Sequence, residues 1–320
     1  MIVLTGGAGF IGSCLLATLN ASGHKDVLIV DSLGSSGEKW KNLVGKTFID
    51  IVSKEDFRDQ MLVGDVGDVS AVIHMGACSA TTETDADYLY DNNTKYSIDV
   101  AEFAFERGAR FIYASSAATY GNGELGYDDA TIDLEPMNMY GFSKHLFDLW
   151  IRRNGHADKC VGLKFFNVFG PNEYHKGSMS SMVFKAVNQI NENGQIQLFK
   201  TNDPTFADGG QMRDFVYVKD CCTVVMDLLE RPSVNGIFNV GTGTARTWNE
   251  LALAVFAAMG REPNISYVTM PEHLRGQYQN YTQAEMTSLR ACLPSASFRS
   301  LEDSIADYVQ RHLLQERRTY

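Results

Sequence analysis

The sequence predicts an α/β fold built on a doubly wound parallel sheet, and three observations carry that prediction. Short apolar runs alternate with longer amphipathic stretches over the first half of the chain. Such alternation implies right-handed βαβ units, with helices covering both faces of the sheet. The first apolar run, Ile2–Thr5, leads straight into Gly6-Gly7-x-Gly9-x-x-Gly12, and the second, Val27-Leu-Ile-Val30, ends at Asp31. Glycines after a strand, a helix behind them and an acid about 20 residues on form the Rossmann dinucleotide fingerprint. The glycines allow a tight turn and close backbone approach to a pyrophosphate, which can lie on the helix N-terminus among unpaired N–H groups.

In chain order, strands are expected at Ile2–Thr5, Val27–Asp31, Ala71–His74, Arg110–Ala114 and Cys160–Phe165, each short and apolar. Helices are expected between them at Ile11–Ser22, Ser53–Leu62, Tyr88–Arg107 and Tyr140–Arg153. Beyond Phe165, Pro and Gly become frequent and the elements mix. A helix is expected near Met179–Asn193, a strand at Gln197–Phe199, and a helix near Lys219–Glu230. A strand at Ile237–Val240 and helices at Trp248–Met259 and Leu301–Glu316 complete the chain. We therefore expect residues 1–166 to form a dinucleotide-binding Rossmann domain, with a segment around 213–245 returning to it. Residues 167–320 are expected to form mainly a smaller mixed α/β substrate-binding region over the carboxyl ends of the strands, where ligands bind in such sheets.

With 320 residues, 44% of them hydrophobic, the chain can bury a full core. A net charge of −11 argues against a nucleic-acid partner, so an anionic substrate must be met by local Lys and Arg. Cys14, Cys78, Cys160, Cys221, Cys222 and Cys292 form no C-x-x-C pair, which predicts reduced cytoplasmic thiols and neither a metal site nor a disulfide framework. The opening residues carry no basic segment or cleavage site, arguing against a signal peptide. The most apolar run, Leu251–Met259, falls far short of the roughly 20 residues needed to span a bilayer, so no membrane partner is expected.

Tyr140-Gly-Phe-Ser-Lys144 places a phenol and an ammonium four residues apart on one helix face. A tyrosine is a poor base at neutral pH unless a neighbouring cation favours the phenolate, and Lys144 is that cation. Upstream, Ser115-Ser116 closes a strand, where Ser116 can hydrogen-bond an oxygen that alternates between alcohol and ketone.

Taken together, the glycine turn, Ser115-Ser116, Tyr140-x-x-x-Lys144 and Arg213-Asp-Phe-Val-Tyr-Val218 resemble the extended short-chain dehydrogenase/reductases, a family acting largely on nucleotide sugars. Finer features are similar to its ADP-heptose 6-epimerases: His74-Met-Gly-Ala-Cys78-Ser79, Asp91-Asn92-Asn93, Phe166-Asn167-Val-Phe-Gly-Pro171, His175-Lys176-Gly177-Ser178-Met179 and Gly276-Gln-Tyr278. The likeness runs along nearly the whole chain. It implies C6″ epimerisation of ADP-D-glycero-β-D-manno-heptose through a transient 6″-ketone, a step towards the lipopolysaccharide inner core of a Gram-negative bacterium. It also implies a homo-oligomer, a pentamer in the family, in the cytoplasm.

Inverting one carbon through a ketone puts its oxygen in two positions, each needing a proton handler. The resemblance implies that Tyr140 serves one and Lys176 the other, that Lys144 orients the cofactor ribose, and that Ser116 contacts the substrate. For the cofactor it implies Gly6, Gly9, Phe10, Ile11, Gly12, Ser32, Met75, Gly76, Ala77, Cys78, Ser79, Asn92 and Val168. Asp31 taken alone favours NAD, because it bonds a ribose 2′-hydroxyl and repels a 2′-phosphate. The resemblance implies NADP, tightly bound and one per subunit, with Lys39 and Lys54 neutralising the phosphate. For the sugar nucleotide it implies Asn167, Ser178, Lys185, Phe199, Lys200, Thr201, Asn202, Arg213 and Tyr278, with Arg213 offering a bidentate fork to the diphosphate. An insertion, Asp203–Gln211, lengthens the loop before Arg213 and departs from the family pattern.

The nearest alternative is another nucleotide-sugar epimerase, such as a UDP-glucose/galactose 4-epimerase, which manages with the tyrosine alone and has no use for Lys176. A 4,6-dehydratase needs an Asp-Glu pair where this chain has Ala117-Ala118. A cofactor-sensing protein without turnover would not need both Tyr140 and Lys144.

Overall fold

The computed structural model describes residues 1–34, 37–275, 278–316 and 318–320, so Gly276 and Gln277 of the C-terminal motif lie outside the described residues. The first half runs β1 (Ile2–Thr5), α1 (Phe10–Ala21), β2 (Val27–Val30), β3 (Asp50–Val52), α2 (Lys54–Val63) and β4 (Ala71–His74). It continues with α3 (Ala86–Leu89), α4 (Tyr96–Glu106), β5 (Arg110–Ser116), α5 (Met139–Arg153) and β6 (Cys160–Phe165). The second half runs β7 (Asn167–Phe169), α6 (Met182–Asn193), β8 (Ile196–Phe199), β9 (Met212–Arg213), β10 (Phe215–Tyr217), α7 (Val218–Leu229) and β11 (Gly236–Val240). Then follow β12 (Arg246–Thr247), α8 (Trp248–Met259), β13 (Ile265–Val268), α9 (Glu272–Arg275), α10 (Thr287–Cys292) and α11 (Leu301–Tyr308).

Seven parallel strands form the main sheet in the order β11-β6-β5-β4-β1-β2-β3. The winding reverses between β1 and β4, and the crevice at such a switch point is where these sheets take ligands. Alternate residues supply the two cores, as the period of a strand requires. Leu4, Ile29, Ile73 and Ile112 pack into one with α1 and α7, while Val3, Val30, Val72 and Phe111 pack into the other with α4 and α5. Three two-stranded pieces, β10-β7, β12-β9 and β13-β8, belong to the second half. Among the described residues no helix is long and apolar enough to cross a membrane.

Several expectations are corrected. Asp50–Val52 is a strand that the pattern hides, because this sheet edge is half-exposed and carries a polar residue. The helix expected from Met179 starts at Met182, since Ser181 caps it by accepting the Phe184 N–H, and Met179 ends a 3₁₀ turn, Tyr174–Met179. The final helix ends at Tyr308 and continues as a π turn, Val309–Leu313. A second π turn, Tyr90–Lys95, interrupts the helix expected over Tyr88–Arg107. There Asn93 accepts the Cys78 N–H at 2.8 Å and donates to the Cys78 carbonyl at 2.9 Å, fixing the strand-end segment that follows β4.

Candidate active site

A cleft of about 970 Å³ opens along the carboxyl ends of the strands, walled by residues from both halves of the chain. Gly6, Gly9 and Gly12 form its floor, and a Cβ on Gly12 would sit 2.1 Å from the Gly6 carbonyl oxygen. Only glycine lets α1 start so close to β1. That helix begins after Gly9 with no side-chain cap and no acid in its first turn, leaving its N-terminal N–H groups for an anion. Asp31 faces the same turn: it accepts the Ala8 N–H at 2.9 Å and the Ser32 N–H at 2.7 Å. These residues fit a dinucleotide. Phe10, Ile11, Met75, Gly76, Ala77, Cys78, Ser79 and Val168 line the cleft beside them.

Lys39 pairs with Asp31 at 2.5 Å and donates to the Ser32 carbonyl at 2.8 Å, so the carboxylate meets the cleft already neutralised. Ser32, Lys54 and Asn92 are not part of the cleft wall. Lys54 instead reaches Asn92 at 3.2 Å and Asp91 at 3.5 Å.

Ser116, Tyr140 and Lys144 converge in the cleft. Asn138 caps α5 by accepting the Gly141 N–H, which sets Tyr140 and Lys144 on successive turns. Gly141 is required here, since a Cβ would lie 2.5 Å from the Ala118 carbonyl oxygen. Ser116 Oγ accepts the Ala118 N–H at 3.1 Å, which aims its own O–H at the Tyr140 phenol. Burial pushes the Tyr140 pKa up, and the Ser116 bond opposes it. Lys144 donates to the Ala114 carbonyl at 2.8 Å, and burial pulls its pKa down to about 8 against the pull of Asp148.

Asp148, one turn beyond Lys144, was not anticipated. Its carboxylate accepts from Lys164 Nζ at 2.8 Å, Ser115 Oγ at 2.7 Å and Tyr113 Oη at 3.0 Å. Lys164 also donates to Thr119 Oγ1 at 2.7 Å and lies over the Tyr120 ring. This network straps α5 to β5 and β6 directly beneath the tyrosine and lysine. Both ions are buried, so Asp148→Ala strands the Lys164 charge and is expected to cost about 3–5 kcal/mol of unfolding free energy. Urea denaturation measures that cost, and a loss under 1 kcal/mol contradicts it.

Lys176 enters the cleft from the 3₁₀ turn, its Nζ 5.6 Å from the centre of the Phe10 ring. Burial lowers its pKa, with Glu173 opposing. Asn42, also not anticipated, donates to the carbonyls of Ala8 and Asn172, both at 3.0 Å, and so ties the glycine turn to the loop bearing Lys176.

At the far end Asn167, Lys185, Phe199 and Tyr278 line the cleft, whereas Ser178, Lys200, Thr201, Asn202 and Arg213 do not. Ser178 gives its carbonyl to Lys185 Nζ at 2.7 Å. Arg213 is buried behind the wall, 5.0 Å from the Tyr278 ring and 5.7 Å from the Trp248 ring, and has no ion pair among the described residues. Trp248, which the sequence did not single out, donates to Tyr278 Oη at 2.9 Å. The 203–211 insertion folds back onto the start of α8: Asn249 donates to the Asp208 carbonyl at 2.9 Å, and the Trp248 N–H to that of Gln211 at 3.2 Å. All six cysteines are free.

The model of the NAD dependent epimerase/dehydratase family matches residues 2–241. An ADP-L-glycero-D-manno-heptose-6-epimerase from Nitratidesulfovibrio vulgaris (strain DP4) is 56% identical over 98% of each chain. The protein of the same name from Fusobacterium nucleatum is 45% identical over 99% of each. The crystal structure of the Helicobacter pylori ADP-L-glycero-D-manno-heptose-6-epimerase superposes with a TM-score of 0.84 at 28% identity, covering 97% of this chain and 95% of that one. With a dinucleotide turn and a Tyr-Lys-Ser constellation in one cleft, the chain belongs to the NAD dependent epimerase/dehydratase family, among the ADP-L-glycero-D-manno-heptose-6-epimerases.

Proposed function

We propose that the protein converts ADP-D-glycero-β-D-manno-heptose to its L-glycero epimer through a 6″-ketone, supplying a precursor of the lipopolysaccharide inner core. One observation carries the reading: Tyr140 and Lys176, from separate halves of the chain, line the same cleft. A bound nicotinamide dinucleotide supplies reversible hydride acceptance. The protein's own groups handle the protons: one of the pair takes the C6″ hydroxyl proton as the ketone forms, and the other returns a proton to the oxygen in its second orientation. Ser116 hydrogen-bonds that oxygen in one position. Arg213, buried and with no acid partner among the described residues, supplies charge behind Tyr278 for the diphosphate. The hydride removed from C6″ would return to the opposite face of the same carbon as the ketone is reduced, so a bound dinucleotide would end each turnover oxidised and would need no exchange.

The test is incubation of the purified protein, without added cofactor, with ADP-D-glycero-D-manno-heptose, followed by proton NMR. The L-glycero epimer should appear. No conversion, even with NADP or NAD added, overturns the assignment and moves UDP-glucose 4-epimerisation to first place. We further propose action as a cytoplasmic homo-oligomer, with sedimentation velocity as the check.

We propose NADP as the cofactor on the position of Lys39. Pairing with Asp31 cancels the charge that would repel a 2′-phosphate, and the ammonium remains beside it. Lys54, held by Asp91 and Asn92, is the weaker candidate. Lys39→Ala is expected to weaken NADP binding about 10- to 100-fold, the worth of a charge-assisted hydrogen bond, and to leave NAD binding little changed. Fluorescence titration of cofactor-stripped protein checks this, and an equal loss for both cofactors contradicts it.

A further inference from the structure

The loop that carries Lys176 is closed by a single carboxylate. Glu173 is 1% exposed, and both of its oxygens are engaged. Oε1 accepts from Ser181 Oγ at 2.6 Å and from the Gly170 N–H at 3.4 Å, while Oε2 accepts the Ser181 N–H. Gly170 follows β7 and Ser181 is the cap of α6, so this side chain joins the two ends of segment 171–180. Its own carbonyl accepts the Lys176 N–H at 2.9 Å, and the Ser180 N–H bonds the Gly177 carbonyl at 3.2 Å, making the loop a closed set of turns. Glu173 also lines the cleft, and it is the acid whose field acts on both Lys176 and Lys185. It forms an ion pair with neither among the described residues.

A carboxylate that only braced a loop would not need to be buried beside two lysines without pairing with either. An ion pair would hold Lys176 against Glu173 and out of reach of a substrate. The hydrogen bonds from Ser181 and Gly170 occupy the carboxylate instead, and the ammonium lies over Phe10 with no ion pair among the described residues. We propose that Glu173 is a positioning residue for the epimerisation: it fixes the loop so that Lys176 Nζ faces the reacting oxygen, with a negative charge held behind it. This rests on Lys176 being the second proton handler.

The experiment compares kcat and KM for ADP-heptose in wild-type holoenzyme, Glu173→Gln, Lys176→Met and the double variant, with cofactor content and Tm recorded for each. Gln keeps the size of Glu173 but removes the charge, and sets a donor against the Ser181 or Gly170 N–H. A displacement of about 1 Å costs on the order of 10²-fold, so Glu173→Gln should lower kcat by about that factor with KM nearly unchanged. In the Lys176→Met background it should cost nothing further, because it acts through Lys176. Losses that multiply in the double variant overturn the proposal, as does a KM effect with normal kcat. Near-normal turnover by Lys176→Met overturns the two-handler reading instead. If Glu173→Gln fails to fold or to hold cofactor, Ser181→Ala removes one bond to the carboxylate. It should lower kcat severalfold with the same non-additivity, and an unchanged kcat overturns the proposal.

Discussion

Tyr140→Phe is expected to lower epimerisation by about 10²- to 10⁴-fold, the usual worth of a positioned proton-transfer group, while the protein stays folded and keeps its cofactor. The substitution deletes one oxygen from the first turn of α5. The ring packing, the Asn138 cap and the Lys144 bond to the Ala114 carbonyl are untouched. Only Ser116 loses a partner, and as a hydroxyl it can turn to another acceptor. The pH dependence follows from Lys144. Its protonated form, which favours the phenolate, is present below about 8 and is lost as pH rises through that value. The kcat/KM of the wild-type enzyme should therefore fall on the alkaline side near pH 8. NMR rates across pH measure both effects. Full activity in Tyr140→Phe removes the tyrosine from the mechanism, and a profile flat through pH 9 removes the Lys144 argument.

The parts of this molecule that could be read from sequence are those whose partners are local. Gly6 to Gly12 and Tyr140 to Lys144 are set by spacings within one turn or one helix, and both expectations coincide with the cleft wall. The strands at Ile2, Ala71 and Cys160 begin and end as expected because they are buried on both faces and bear an unbroken apolar signal. The edge strand at Asp50 carries no such signal. Residues that matter through distant contacts were not legible. Asp148 and Lys164 look like ordinary surface charges until β6 and α5 bury them together. Glu173 looks like a loop acid until Ser181 folds over it, and Trp248 looks like a helix start until Tyr278 returns to it from thirty residues away. For Arg213 the sequence suggests a bidentate fork to a diphosphate but nothing of its surroundings. In the structure it is buried beside the Trp248 and Tyr278 rings, a contact made by residues 35 and 65 positions further along the chain.

Lys176→Met should reduce epimerisation by about 10²- to 10⁴-fold, and Lys176→Ala should show the same loss with partial recovery when a small primary amine such as methylamine is added. A loop lysine in bulk solvent would do neither. Here the Nζ lies against Phe10 in the cleft, without an ion pair among the described residues, and burial has lowered its pKa. The neutral amine, the form able to take a proton from the heptose hydroxyl, is thus more accessible than in a free lysine. Burial shifts Tyr140 the opposite way, which favours its neutral form, able to give a proton to the ketone oxygen. In the proposed scheme, two groups pushed in opposite directions within one cleft would serve as base and acid for one direction of the reaction, with the roles exchanged for the reverse. Amine rescue separates chemistry from architecture. A missing proton handler can be replaced from solution, whereas a collapsed loop cannot. Loss without rescue would make Lys176 a loop anchor, and near-normal turnover in Lys176→Met would return the enzyme to a mechanism in which Tyr140 serves both positions of the oxygen.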